Sequence, residues 1–227
     1  MKIVKIEDLH QIVDFAADGH RCVFRGVEDA INHKLIPKVS RNRKKSSREQ
    51  IKKLERQTLK LFERWAYPYL KEKNVSDWNL LAIAQHHGLA TRLMDWTQNP
   101  LVAAFFSVER EFNGDSAIYM CRGEGEMVNE NDDPFNPGRD FWFLPLHVTP
   151  RIAAQSGLFS IQRDPFTELK RADLVKYIIP NQWRKHLRTV LNKFGIHRAS
   201  LFPGLEGITA KLNMAIEKMS DRDMNTL

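Results

Sequence analysis

Gln85-His86-His87-Gly88-Leu89-Ala90-Thr91-Arg92-Leu93-Met94-Asp95-Trp96-Thr97-Gln98-Asn99-Pro100 joins two apolar helical patterns. On the near side, Ser76 or Asp77 can cap a helix along which Trp78, Leu81, Ala82 and Gln85 run, and Gly88 is placed to stop it in a left-handed turn. On the far side, Asn99-Pro100 is a cap followed by proline at the first helical position. The helix it starts, Leu101 to Phe112, opens apolar on nearly every side, and Ala103 and Ala104 allow close approach to a sheet. Between these ends sit two histidines, an arginine, an aspartate, a tryptophan and two threonines. A connection needs no such density of polar groups merely to turn, so this segment is expected to bind or convert something polar.

Outward from that segment, helical periodicity covers Glu7 to Ala17, ended by Gly19, and Arg48 to Tyr67, with Ile51, Leu54, Leu59, Phe62 and Trp65. Arg21 to Arg25, broken by Gly26, reads as a strand. So do Ser116 to Cys121, Phe141 to Val148, Leu158 to Gln162 and Leu174 to Ile179. A short helix or turn is expected at Arg151 to Ser156, and longer helices at Gln182 to Phe194 and from about Glu206 to Met219. Gly123 to Gly138 is an acidic, Gly/Pro/Asn-rich loop. Strands do not alternate regularly with helices, which points to one α+β domain over residues 1–227 rather than a doubly wound sheet.

Composition narrows the function. With 227 residues and 42% hydrophobic content, the chain can bury a core without metal or disulfide. No apolar run approaches the roughly 20 residues of a membrane span, and no apolar signal segment follows Met1. Cys22 and Cys121 in apolar contexts read as buried free thiols of a cytoplasmic protein. The net charge of +7 is concentrated: His33 to Lys60 holds eleven Lys and Arg against Glu49 and Glu55, so the remainder is slightly acidic. Arg41, Arg43, Lys44 and Lys45 form the densest part of this basic arm. It faces a nucleic acid or acceptor on one reading, and is a solvated face on the other. Gly-x-Gly-x-x-Gly, a Walker loop and His-Glu-x-x-His are absent. Asp95, Asp132, Asp133 and Asp140 have no paired metal-site spacing, which argues against a nuclease. Adjacent His86 and His87 without Cys make a poor zinc set, so no metal is expected.

Several blocks together carry a resemblance. They are Val23-Phe24-Arg25-Gly26; Leu35-Ile36-Pro37 with Arg41 after it; Gln85 to Thr97; Asn99-Pro100-Leu101; Arg151-Ile152 with Gln155-Ser156-Gly157; and Phe194-Gly195-Ile196 through Pro203. Over about residues 20 to 210 the chain resembles the FRG domain family, whose fold resembles that of ADP-ribosyltransferases. What the resemblance implies is a small mixed or antiparallel sheet decorated by helices, with an NAD-like pocket. The implied activity is transfer of ADP-ribose to a macromolecular target, or hydrolysis of NAD, in bacterial antiphage defence or a toxin system with a possible antitoxin partner. Arg25 matches the early site position of such enzymes, Thr91 or Asp95 the middle one, and Gln155 the late one, where they carry a carboxylate.

Residue chemistry fits these roles. Arg25, before a glycine, can hold phosphate in a bidentate contact. Asp95 can orient a ribose hydroxyl or stabilise a sugar cation, unless an internal Arg92–Asp95 pair simply clamps the loop. Trp96 is core or a stacking wall. His87, rather than His86, is the expected lining histidine. Arg151 and Gln155 share one face of a short helix, and Gln155 can both donate and accept. His147 and the loop carboxylates Glu124, Glu126 and Glu130 are weaker candidates. The competing reading is a non-enzymatic module that binds or senses nucleic acid or protein through the basic arm.

Overall fold

A computed structural model describes residues 6–17, 21–41, 46–70, 72–122, 126–146 and 150–216. In chain order the elements are α1 (Ile6–Ala17), β1 (Cys22–Val27), α2 (Arg48–Ala66), α3 (Asp77–His86), β2 (Leu93–Thr97), α4 (Pro100–Val108), β3 (Ser116–Arg122), β4 (Phe141–Phe143), α5 (Pro150–Ala154), β5 (Gly157–Ile161), β6 (Val175–Ile179), α6 (Asn181–Lys193), α7 (Arg198–Leu201) and α8 (Leu205–Ile216). The fold is α+β, as expected. The six strands form one sheet in the order β4-β5-β2-β1-β3-β6, with every neighbouring pair antiparallel. Among the described residues no helix is long and apolar enough to cross a membrane.

The segment expected to bridge two helices contains a central strand. β2 pairs with β5 over Leu93–Thr97 and with β1 at Phe24–Thr97. Successive strand side chains alternate between faces, and this sorts the core. Phe24, Ile118, Met120 and Tyr177 lie on one face under α1, α4 and α6. Further along that face, Leu93, Phe143, Phe159 and Ile161 lie under α2 and α3. Val23, Met94, Trp96, Tyr119, Cys121 and Leu158 fill the other face. Asp95 belongs to the helix-covered face, between the two groups of helices, and is the exposed member of an otherwise buried strand.

The caps form as the sequence predicts. Ser76 accepts from the Asn79 amide at the start of α3. Gly88 takes φ +94, and the Leu89 amide returns to the Ala84 carbonyl at 3.0 Å. Asn99 accepts from the Leu101 amide at 2.9 Å, with Pro100 opening α4. Gly26 does not break β1, which continues to Val27. Its role is close approach: a Cβ there would stand 1.9 Å from the Ala103 carbonyl oxygen of α4. α4 ends at Val108 rather than Phe112, and the strand expected over Phe141 to Val148 covers only Phe141–Phe143. Gly19, Gly123, Glu124 and the end of the last helix beyond Ile216 lie outside the described residues, as does His147.

Candidate functional site: a cationic cleft around Asp95

β1 and β3 pair along six residues, but β1 and β2 pair only at Phe24–Thr97. Continued, that register would set Gly26 opposite Asp95. Instead the strands part, and the Arg25 guanidinium donates to the Asp95 backbone carbonyl, where a ladder amide would otherwise serve. The same Nη1 lies 3.7 Å from Asp95 Oδ2. The Arg25 side chain is 12% exposed and that of Asp95 is 65% exposed, so the carboxylate is the open end of the pair.

The carboxylate is also held from α3. The Thr91 hydroxyl accepts from the Leu93 amide at 3.1 Å and donates to Gln85 Oε1. That fixes which way the Gln85 amide points. Its Nε2 then donates to Asp95 Oδ1 at 2.9 Å. Thr91 is 2% exposed and acts on the cleft through Gln85 rather than from its surface.

Cations gather around this single carboxylate. Burial pushes the Arg25 guanidinium below its ordinary value, Asp95 pulls it back up, and Arg41 pushes it down further. Arg41 and Arg151 are likewise lowered by burial and raised by Asp95. Three arginines from separate elements therefore share the field of one acid. Arg151 stacks 4.2 Å over the Phe202 ring. Gln155 spends its Nε2 on the Leu201 carbonyl at 3.0 Å, and its own carbonyl accepts the Thr97 hydroxyl at 2.6 Å. This ties α5, α7 and the end of β2 together.

Several expected roles fall elsewhere. Arg92 does not pair with Asp95. Arg92 lies in a bend just before β2, and its guanidinium meets Glu55 of α2 inside the core. Trp96 is 3% exposed on the face opposite Asp95, where it bonds Ser160 at 2.9 Å, so it is core and not a wall of this cleft. His87 is exposed, whereas His86 turns inward beside Arg151 and Glu206, with Nδ1 buried and unpartnered among the described residues. In the basic arm, Arg48 pairs with Asp164, Arg56 with Asp133, and Lys52 donates to Asn136. Arg43, Lys44 and Lys45 lie outside the described residues. Gln85 and His33 were missed by sequence reasoning, and Arg41 was placed in the arm rather than the cleft. Gln85 and Arg41 stand in the blocks that carry the family resemblance, whereas His33 is marked only by contacts that the fold makes. Among the described residues no three His, Cys, Asp or Glu side chains group as a metal-ligand set. A concavity of about 590 Å³ bordered by Phe15, Met120, Arg122, Asp173 and Val175 lies at another edge of the sheet. Its Arg171 and Asp173 pair with each other at 3.0 Å.

Burial and neighbouring cations hold His33 and His86 near pKa 4, below their ordinary 6.5. Both are neutral in the folded protein at neutral pH, and the unfolded chain binds more protons once the pH drops below about 6.5. Their contribution to stability is thus lost as pH falls from about 6.5 towards 4. Thermal melts are expected to drop across that window, and His33→Gln with His86→Gln should flatten the drop. An unchanged slope in the double variant contradicts this account.

The FRG domain matches residues 20–116 of the chain, which contain β1, β2, α4 and the Arg25–Gln85–Asp95 contacts. No curated protein and no solved structure matches the chain.

Proposed function

We propose that the cleft binds NAD or a related nucleotide and that the chain is an ADP-ribosyltransferase-like cytoplasmic protein. It transfers ADP-ribose to a protein or nucleic-acid acceptor, or hydrolyses NAD, in an antiphage or toxin system. The observation that carries this reading is Asp95: one solvent-open carboxylate, oriented by Gln85 and Arg25, among Arg25, Arg41 and Arg151. Vicinal ribose hydroxyls need an oriented acceptor, and a pyrophosphate needs fork-shaped cations beside it.

In such chemistry the bond from ribose C1′ to the nicotinamide nitrogen breaks, and its electron pair leaves with nicotinamide. Positive charge grows on C1′ before water or an acceptor nucleophile attacks. A fixed carboxylate bonded to the ribose hydroxyls stabilises that charge without reorganising. Asp95 holds this role. Arg25 and Arg41 take phosphate, and Gln155, just after α5, supports the late position through its bonds to Leu201 and Thr97.

Purified protein incubated with labelled NAD, with and without cell extract, is expected to release nicotinamide. Asp95→Asn should cut the rate by about 100-fold or more, a loss out of proportion to the modest drop in melting temperature expected from taking the counter-charge from Arg25. If the wild-type protein releases no nicotinamide and shows no NAD-dependent thermal shift, the reading is wrong.

A further inference from the structure

The described residues after β1, 28–41, include the start of what was read from sequence as a basic arm, but they fold beside Arg25 and the start of β2. Ala30 and Leu35 among them are buried in the core. Asp29 accepts from the Ile31 and Asn32 amides at 2.8 and 2.9 Å and closes the first turn. The Val39 amide donates to the Thr91 carbonyl at 3.2 Å, and Lys38 Nζ reaches the Gly88 carbonyl at 3.1 Å. These contacts fix the segment beside the start of β2. Arg41 Nε donates to the Ile36 carbonyl at 2.9 Å, and its Nη2 lies 3.4 Å from His33 Nε2.

Two features here lack a protein explanation. Arg25 and Arg41 repel one another, and the carboxylate in whose field both lie, Asp95, is already engaged by Gln85. Arg25 Nε is also buried with no acceptor among the described residues. An unpaired buried donor is costly, and two cations set beside a neutral imidazole call for an anion. The geometry points to a phosphate subsite formed by Arg25, Arg41 and His33, which takes the phosphate groups of a nucleotide. It rests on the cleft reading above and adds to it where the phosphates sit and what they do to a neighbouring proton.

His33 faces Arg25 from β1 and Arg41 and Asp29 from its own segment. Burial first, then the two arginines, hold it near pKa 4. Nη2 of Arg41 can only donate, so Nε2 of His33 accepts and the ring proton rests on Nδ1. A phosphate between the arginines reverses the local field, draws Arg41 off Nε2 of His33 and onto the anion, and lets that nitrogen take a second proton. Binding then takes up protons at a pH between about 4 and 6.5 and tightens as the pH falls through that window.

Calorimetric titration of the full chain at about pH 6, in two buffers of different ionisation enthalpy, tests this with ADP-ribose and with inorganic pyrophosphate as probes. Net proton uptake is expected with both. Arg41→Met should weaken both probes about tenfold or more, and Arg41→Lys should recover part of that loss. His33→Gln should abolish the uptake while changing affinity less. If ADP-ribose binds but these variants leave affinity and uptake unchanged, the subsite is overturned and the cleft reading survives. If pyrophosphate alone binds and depends on Arg41, the subsite stands and the nucleotide reading fails. Arg41-dependent binding of only a short single-stranded oligonucleotide, or of none of these probes, overturns the subsite.

Discussion

Arg92→Met is expected to cost about 3–5 kcal/mol of stability, a large part of the roughly 5–15 kcal/mol that holds a domain folded. Arg92 is 3% exposed and its partner Glu55 is 2% exposed in their side chains. The guanidinium meets the carboxylate through Nε at 3.0 Å and Nη2 at 2.6 Å, and donates through Nη1 to the Pro134 carbonyl at 3.0 Å. Phe135 lies against it, 5.4 Å from ring centroid to guanidinium carbon. Methionine fills much of the volume but leaves Glu55 charged inside α2 with its partner gone. The cost comes from that orphan and not from the lost attraction, so the double variant Glu55→Leu/Arg92→Met should regain most of it. Chemical denaturation of the two single variants and the double closes the cycle. A single-variant cost under about 1 kcal/mol would mean the pair behaves as a surface contact and does not fasten α2 to β2.

That pair also explains what was legible in the sequence and what was not. Local signals located α3, its glycine stop and the Asn99-Pro100 cap, because each depends on a few neighbouring residues. β2 was missed because Arg92, Asp95 and Thr97 made the segment look like a polar connection. The period of two was present, with Met94 and Trp96 on one face and Leu93, Asp95 and Thr97 on the other. Arg25 and Asp95 are 70 positions apart, and no spacing rule joins them.

The basic arm is a property of sequence order, whereas the fold distributes its cations. Arg48 and Arg56 turn to acids from distant loops, and Arg41 turns to the cleft. A second group of cations, Arg25, Arg41 and Arg151, shares the field of Asp95, and each comes from a different part of the chain.

Gly26→Ala is expected to damage both stability and the cleft. The added Cβ would stand 1.9 Å from the Ala103 carbonyl oxygen and 2.8 Å from the Ser107 amide nitrogen. Both obstacles are backbone of α4, so no rotamer change relieves them, and trimming Ala103 to glycine would not help. α4 must move away from β1, at a cost of about 3 kcal/mol or more, the upper part of the range for overpacking. Gly138→Ala, where an added Cβ meets nothing within 4 Å, is the matched control and should stay within about 0.5 kcal/mol of the parent. α4 follows β2 directly through Asn99-Pro100 and lies against β1, so it spans the point where the strands part. Its displacement moves Arg25 relative to Asp95. Gly26→Ala should therefore lose binding of ADP-ribose even at temperatures where its circular dichroism is still native, whereas a glycine that matters only for packing would lose binding and structure together.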